Sequence, residues 1–154
     1  RNQTGQRFND VSRSGGPYFQ RTVVGRSSAV ADYDRDGRLD LAIGQLNSEL
    51  VLLRNVSQQV GMKSLSIELV GVRCNRDAIG AVVEVSFQKR RLTRFRTAAT
   101  GYLSCDDACL TIGMGKTTTL ADVIVHWPGG KNETFRSLQP GHRHVLIEGN
   151  GASE

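Results

Sequence analysis

Asp32, Asp34, Asp36 and Asp40 fall within nine residues of one another, and Gly37 follows the third. Four like charges at that density repel unless a cation sits among them, and a hard divalent cation with oxygen ligands, Ca²⁺ above all, suits the spacing. Asp32, Asp34 and Asp36 at i, i+2 and i+4 can curl their side chains around one point, and Gly37 allows a sharp turn where a Cβ would clash. The next ligands in order are the backbone carbonyl of Arg38 and the carboxylate of Asp40. An EF-hand loop begins in the same way but closes on a glutamate at position 12, where this chain has Ile43. The flanks, Ser28-Ala29-Val30-Ala31 and Leu41-Ala42-Ile43-Gly44, are short apolar runs that read as strands rather than long helices. The segment is therefore expected to be a calcium loop between two β-strands, closed by Asp40. Its alternative is a metal-free polar hairpin, in which Arg35 and Arg38 offset part of the charge. The side chains of those two arginines are expected to point outward.

Other residues invite chemistry less strongly. Cys105 and Cys109 can close a small disulfide loop that leaves Cys74 free, or all three can be thiols; neither a CxxC pair nor a nearby histidine completes a zinc set. Asp106-Asp107 reads as turn polarity rather than a second metal site. Gly113-Met114-Gly115-Lys116-Thr117 resembles the end of a phosphate loop, but Leu110 stands where the first glycine is needed and no helical pattern follows, so a tight turn is expected. Ser104 lacks the glycine context of a nucleophile elbow. His142 and His144 share one face of an expected strand with no third ligand nearby. Asn75-Arg76-Asp77 can recognise a sugar or carboxylate, or can form a loop locked by its own side chains; the structural role is favoured.

These residues must be positioned by strands. The chain has 154 residues, 38% hydrophobic, with 17 glycines, which suits a turn-rich β protein. No apolar run approaches the roughly 18 residues of a membrane span. No signal peptide is recognisable, and the opening Arg1-Asn2 without methionine suggests a processed or excised fragment. Net charge is +5, with much of the excess in Lys89-Arg90-Arg91-Leu92-Thr93-Arg94-Phe95-Arg96. That run is expected to be a solvated hairpin tip, since one basic hairpin is a weak nucleic-acid footprint.

Arg1-Asn2 is echoed by Arg54-Asn55, as if one repeat junction occurs twice. Residues 1–55 then form one unit resembling a propeller blade, whose missing neighbours lie N-terminal to Arg1. Isolated, such a blade is expected to self-associate through its exposed edges. Residues 56–63 read as a linker, 64–149 as a second β domain and 150–154 as a tail. Strands of the second domain are expected at Leu65–Leu69, Val83–Phe87, Arg94–Ala99, Ala108–Ile112, Ala121–Trp127, Glu133–Ser137 and His144–Glu148. With glycine turns between most of them, they predict a β-sandwich or barrel. Trp127-Pro128-Gly129-Gly130 reads as a strand end that buries an indole and turns sharply. The fold class expected is all-β: one propeller-blade-like repeat with a calcium loop, then a sandwich or barrel-like domain.

Residues 1–55 resemble the FG-GAP/VCBS type of propeller repeat, through Phe8-x-Asp10-Val11, Ala31 to Leu41 and Leu53-Arg54-Asn55. Residues from about 64 to 149 resemble the ASPIC/UnbV domain, through Leu69-Val70-Gly71, Asn75 to Ala81, Gly101-Tyr102-Leu103-Ser104, Ile112-Gly113-Met114-Gly115 and Val123-x-Val125-x-Trp127-Pro128-x-Gly130. The resemblance implies an extracellular, cell-surface or periplasmic module that binds Ca²⁺ and catalyses nothing. Its role would be adhesion or recognition of a protein or carbohydrate ligand, with neither nucleic acid nor a membrane span involved. In such repeats Asp32, Asp34, Asp36, the Arg38 carbonyl and Asp40 would hold the ion. Arg35 and Arg38 depart from the small polar or acidic residues usual there, and the three cysteines are not part of the pattern. The alternatives are an accessory domain of a secreted polysaccharide-active enzyme, or a purely structural propeller cap.

Overall fold

The protein is described by a computed structural model covering residues 2–3, 5–58 and 60–153. Arg1, and with it half of the junction echo, lies outside the described residues. The chain is all-β, with two short 3-10 turns at Ser12–Ser14 and Pro17–Gln20. A small hairpin of β1 (Asn2–Gln3) and β2 (Arg7–Phe8) opens it. Strands β3 (Gly25–Ala31), β4 (Asp40–Gln45) and β5 (Val51–Leu53) follow as an antiparallel meander in that spatial order. This is the blade-like repeat.

The remainder forms two sheets. One, in the order β12 (Arg143–Ile147), β6 (Lys63–Val70), β9 (Leu110–Gly115), has β12 parallel to β6 and β9 antiparallel to it. The other runs β13 (Ala152–Ser153), β11 (Asn132–Leu138), β10 (Ala121–His126), β7 (Val82–Phe87), β8 (Arg90–Phe95). Strand alternation explains why they stack. Leu65, Ile67 and Leu69 of β6 and Ile112 and Met114 of β9 are buried with Val83, Val85 and Phe87 of β7 and Val123 and Val125 of β10 in a single core. Each such side chain contributes about 1.5–3 kcal/mol by leaving water. The sheets face one another as a sandwich and do not close into a barrel.

Trp127, the residue after β10, has 3% of its surface exposed. The turn after it needs glycine twice, at Gly129 (φ 107°) and Gly130 (φ 93°). Three strands differ from expectation. The partner of β7 is Arg90–Phe95 rather than Arg94–Ala99, because Phe87 pairs with Arg90 across a two-residue turn. The basic run is therefore a strand rather than a hairpin tip, and it forms one edge of its sheet. Lysine and arginine along an edge oppose pairing with another chain. Strand β9 starts later and runs further than expected, because Met114 is an inward core residue; Gly113 to Gly115 is thus strand and not a phosphate loop. Strand β13, which pairs with β11, has no counterpart among the expected strands; its two residues are too few to show a period.

Candidate metal centre

The pairing of Ala31 with Asp40 closes the β3–β4 ladder, so residues 32–40 form a loop pinned at both ends. Two left-handed residues, Arg35 (φ 59°) and Gly37 (φ 84°), curl it inward. Asp32 organises the interior: its two carboxylate oxygens accept the N–H groups of Asp36 at 3.0 Å and Gly37 at 2.9 Å. Asp40, only 3% exposed, accepts the N–H of Tyr33 at 3.0 Å on one oxygen and that of Asn55 at 2.7 Å on the other.

Asp32, Asp34 and Asp40 each bring an oxygen to within 4.8 Å of the others. Ligand oxygens about 2.3–2.6 Å from a Ca²⁺ ion lie at most about 4.6–5.2 Å apart, so the three carboxylates fit one coordination sphere. Asp36 is not in that group. It accepts the Arg38 N–H at 2.9 Å on one oxygen and pairs with the Arg38 guanidinium on the other. The expectation that Arg38 points outward does not hold, since its Nε also donates to the Asn55 carbonyl at 2.7 Å. Its side chain lies between the Asp36 carboxylate and the Asn55 carbonyl, bonding to both. Arg35 is exposed, as expected.

Arg54 and Asn55 complete the site. Arg54 Nε donates to Asp34 at 2.6 Å, and its other end lies 3.9 Å from Asp36. Burial pushes the Asp34 carboxyl up, but hydrogen bonds and charge from Arg54, helped by Asp36, hold it below the ordinary carboxylate range. Asn55 also donates from its side chain to the Leu39 carbonyl at 3.2 Å. In the sequence these two residues read as a repeat junction and as the close of the resembled repeat, not as part of the site. Their role follows from pairing: Leu53 lies opposite Leu41, which brings the next residues of the chain alongside Asp40.

The other candidates resolve as structure. All three cysteines are free thiols. Asn75 locks a turn, accepting the Ile79 N–H at 2.7 Å and donating to its carbonyl at 2.9 Å. His144 meets the Gln139 carbonyl at 3.0 Å, and His142 precedes β12 rather than sharing its face. Asp106-Asp107 does more than polarise a turn. The Asp106 carboxylate accepts the Val30 N–H at 2.7 Å, and the Asp107 N–H donates to the Val30 carbonyl at 2.9 Å. These bonds cover the open edge of β3. Nearby, the Arg26 guanidinium stacks 4.8 Å over the Tyr102 ring and donates to its hydroxyl at 3.2 Å.

One buried network had no sequence signal. Glu148 accepts the N–H groups of Val72, Arg73 and Cys74 at 2.9, 2.7 and 3.0 Å, and Arg73 Nε at 3.2 Å. Those donors, the Cys74 N–H foremost, hold its carboxyl down at about 2 against the opposing effect of burial. Glu133, 1% exposed, accepts the N–H groups of Gly149 at 2.8 Å and Gly151 at 3.3 Å and lies 3.4 Å from Arg73. Backbone donors saturate both carboxylates, which tie the loop after β6 to the chain's end. A glutamate some 75 residues from its backbone donors gives no spacing from which to foresee this.

The family model described as ASPIC and UnbV matches residues 71–153, and the FG-GAP repeat model matches residues 24–48. No curated protein matches the chain.

Proposed function

The chain belongs to the ASPIC and UnbV family and carries an FG-GAP repeat ahead of that domain, and from this premise we propose that it is a non-catalytic calcium-binding recognition module. FG-GAP repeats commonly bind calcium and usually occur in extracellular proteins, and no described helix is long and apolar enough to cross a membrane. The observation that carries the reading is the convergence of Asp32, Asp34 and Asp40 oxygens within 4.8 Å around the interior of one loop. Asp32, Asp34 and Asp40 supply carboxylates, the Arg38 carbonyl a neutral oxygen, and Asp36 joins once Arg38 releases it. The bound ion supplies charge and holds the loop in one shape, which lowers the ordering cost of binding a partner. That partner is a protein or a carbohydrate met outside the cell.

Calorimetry with the full chain tests this. Extracellular calcium modules bind at about 0.1–1 mM, so Ca²⁺ titrated over that range should give a one-site isotherm that Asp40→Asn abolishes. No heat, and no thermal shift at millimolar Ca²⁺, would sink the reading.

One observation favours a second reading, a purely structural cap. Asp106 and Asp107 cover the edge of β3, and Gly37 lies against the sandwich, where an added Cβ would meet Ser64 Oγ at 3.0 Å. Calcium would then staple blade to sandwich, and Asp34→Ala would lower stability without weakening any ligand.

A further inference from the structure

Between the acidic loop and the outer face of the β12–β6–β9 sheet lies a cleft of about 500 Å³, within the range of ligand pockets. Alternation builds its floor. With Leu65, Ile67 and Ile112 turned into the core, Ser64, Ser66, Thr111 and Gly113 face outward. Register sets Arg143, Ser66 and Thr111 side by side across the three strands, with Ser64 beside Gly113. The loop forms one wall, and Arg35, Lys63 and His142 are among the residues that line the cleft.

The lining carries four cationic side chains, Arg35, Arg38, Lys63 and Arg143, against three carboxylates, Asp32, Asp36 and Asp107. Asp36 is paired with Arg38 and Glu68 with Arg143 at 2.8 Å; Asp107 accepts the neutral Cys109 N–H at 3.2 Å and keeps its charge. Asp32 belongs to the metal group. Among the described residues, Lys63 and Arg35 are left with no carboxylate at ion-pair distance, although Lys63 is half-buried. A divalent ion in the loop would make the same wall more positive.

We propose that this cleft binds a uronate-type acidic carbohydrate, whose carboxylate sits between Lys63 and Arg35 and whose hydroxyls bond to Ser64, Ser66 and Thr111. A row of small hydroxyls suits a ligand with a hydroxyl on nearly every carbon. The side chains of a peptide would find only Leu39 and Met62 as sizeable apolar lining. The inference rests on the recognition reading above and names its ligand class. Lys63, Arg35 and the hydroxyls are the protein's own, so the cleft can be tested apart from the metal.

The probe is a galacturonate tetramer, titrated into the full chain with and without about 1 mM Ca²⁺, beside a neutral glucan tetramer. The uronate should bind, more tightly with Ca²⁺, and the neutral sugar should not. Lys63→Gln with Arg35→Asn should weaken uronate binding at least about tenfold, the scale of a lost charge-assisted hydrogen bond. Asparagine tolerates the left-handed backbone at that position. Arg90→Gln with Arg94→Gln, in the basic edge strand, should leave binding unchanged. Calcium heat without uronate binding would overturn the cleft alone. Uronate binding that depends on Lys63 without calcium heat would overturn the calcium reading alone. A loss of binding through Arg90 and Arg94 instead, or equal binding of a hexaglutamate peptide, would also overturn the proposal.

Discussion

Between Lys63 and Ser153 fifteen hydrophobic side chains are buried, whereas among the described residues from Asn2 to Gln58 the one buried residue is Asp40. The sandwich removes two apolar sheet faces from water and stands on that. The blade has an ordinary antiparallel ladder but buries none of its described apolar side chains fully, and Val30, Leu41 and Ile43 remain half-exposed. In place of a core it has a closed loop of carboxylates, two arginines and an asparagine, with bonds to the sandwich along β3. Hydrogen bonds net about 0.5–1.5 kcal/mol each, so such a unit is held by its neighbours and, on the calcium reading proposed above, by the ion in its loop.

The sharpest way to break this contrast is to remove equivalent leucines. Leu65→Ala should cost the sandwich about 2–5 kcal/mol, read as a lower denaturant midpoint of Trp127 fluorescence; Trp127 is the one tryptophan of the chain. Leu41→Ala should leave that midpoint nearly in place and instead speed hydrogen exchange at the β3–β4 amides. Equal loss from both variants would mean that blade and sandwich unfold as one body.

Acid should divide the two regions next. The Glu148 carboxyl lies at about 2 in the folded protein against an ordinary 4.5. Its folded value is depressed, so its ionised form favours the fold. That stability is fully present above pH 4.5 and is lost as pH falls from there towards about 2. The Trp127 transition should weaken across that window, and Glu148→Gln should flatten the dependence. An unchanged acid profile in the variant would show that other carboxylates govern it.

The two regions were also legible to different degrees. Where burial alternates, as in β6, β7 and β10, the sequence carries the period of the strand and the elements fall where expected. The basic run misled because its charges suggested a tip, whereas the register of Phe87 with Arg90 makes it an edge. The acidic loop was readable because its ligand types sit at short spacing. Arg54, Glu133 and Glu148 were not, because each acts on residues that only the folded chain brings near. Short-range chemistry is written in the order of residues; long-range compensation is written in the pairing of strands.

Arg54 supplies the smallest test and the one most specific to the blade. Its guanidinium lies on Asp34 with 62% of its side chain exposed, so it is a solvent-exposed counter-ion on an oxygen that the proposed calcium site would use. A cation entering the loop must displace it and must also approach a fixed positive charge. An exposed pair of this kind contributes about 0.2–1 kcal/mol. Arg54→Gln should therefore tighten Ca²⁺ binding by about 1.5- to 5-fold, while slightly loosening the loop in the absence of the ion. The matching change in the sandwich, Arg143→Gln, removes the pair with Glu68 but leaves the partners of the loop oxygens as they were, and should move calcium affinity less. If Arg54→Gln weakened calcium instead, the guanidinium would be holding Asp34 in the binding position rather than competing for it, and the blade would be preorganised by its own charges.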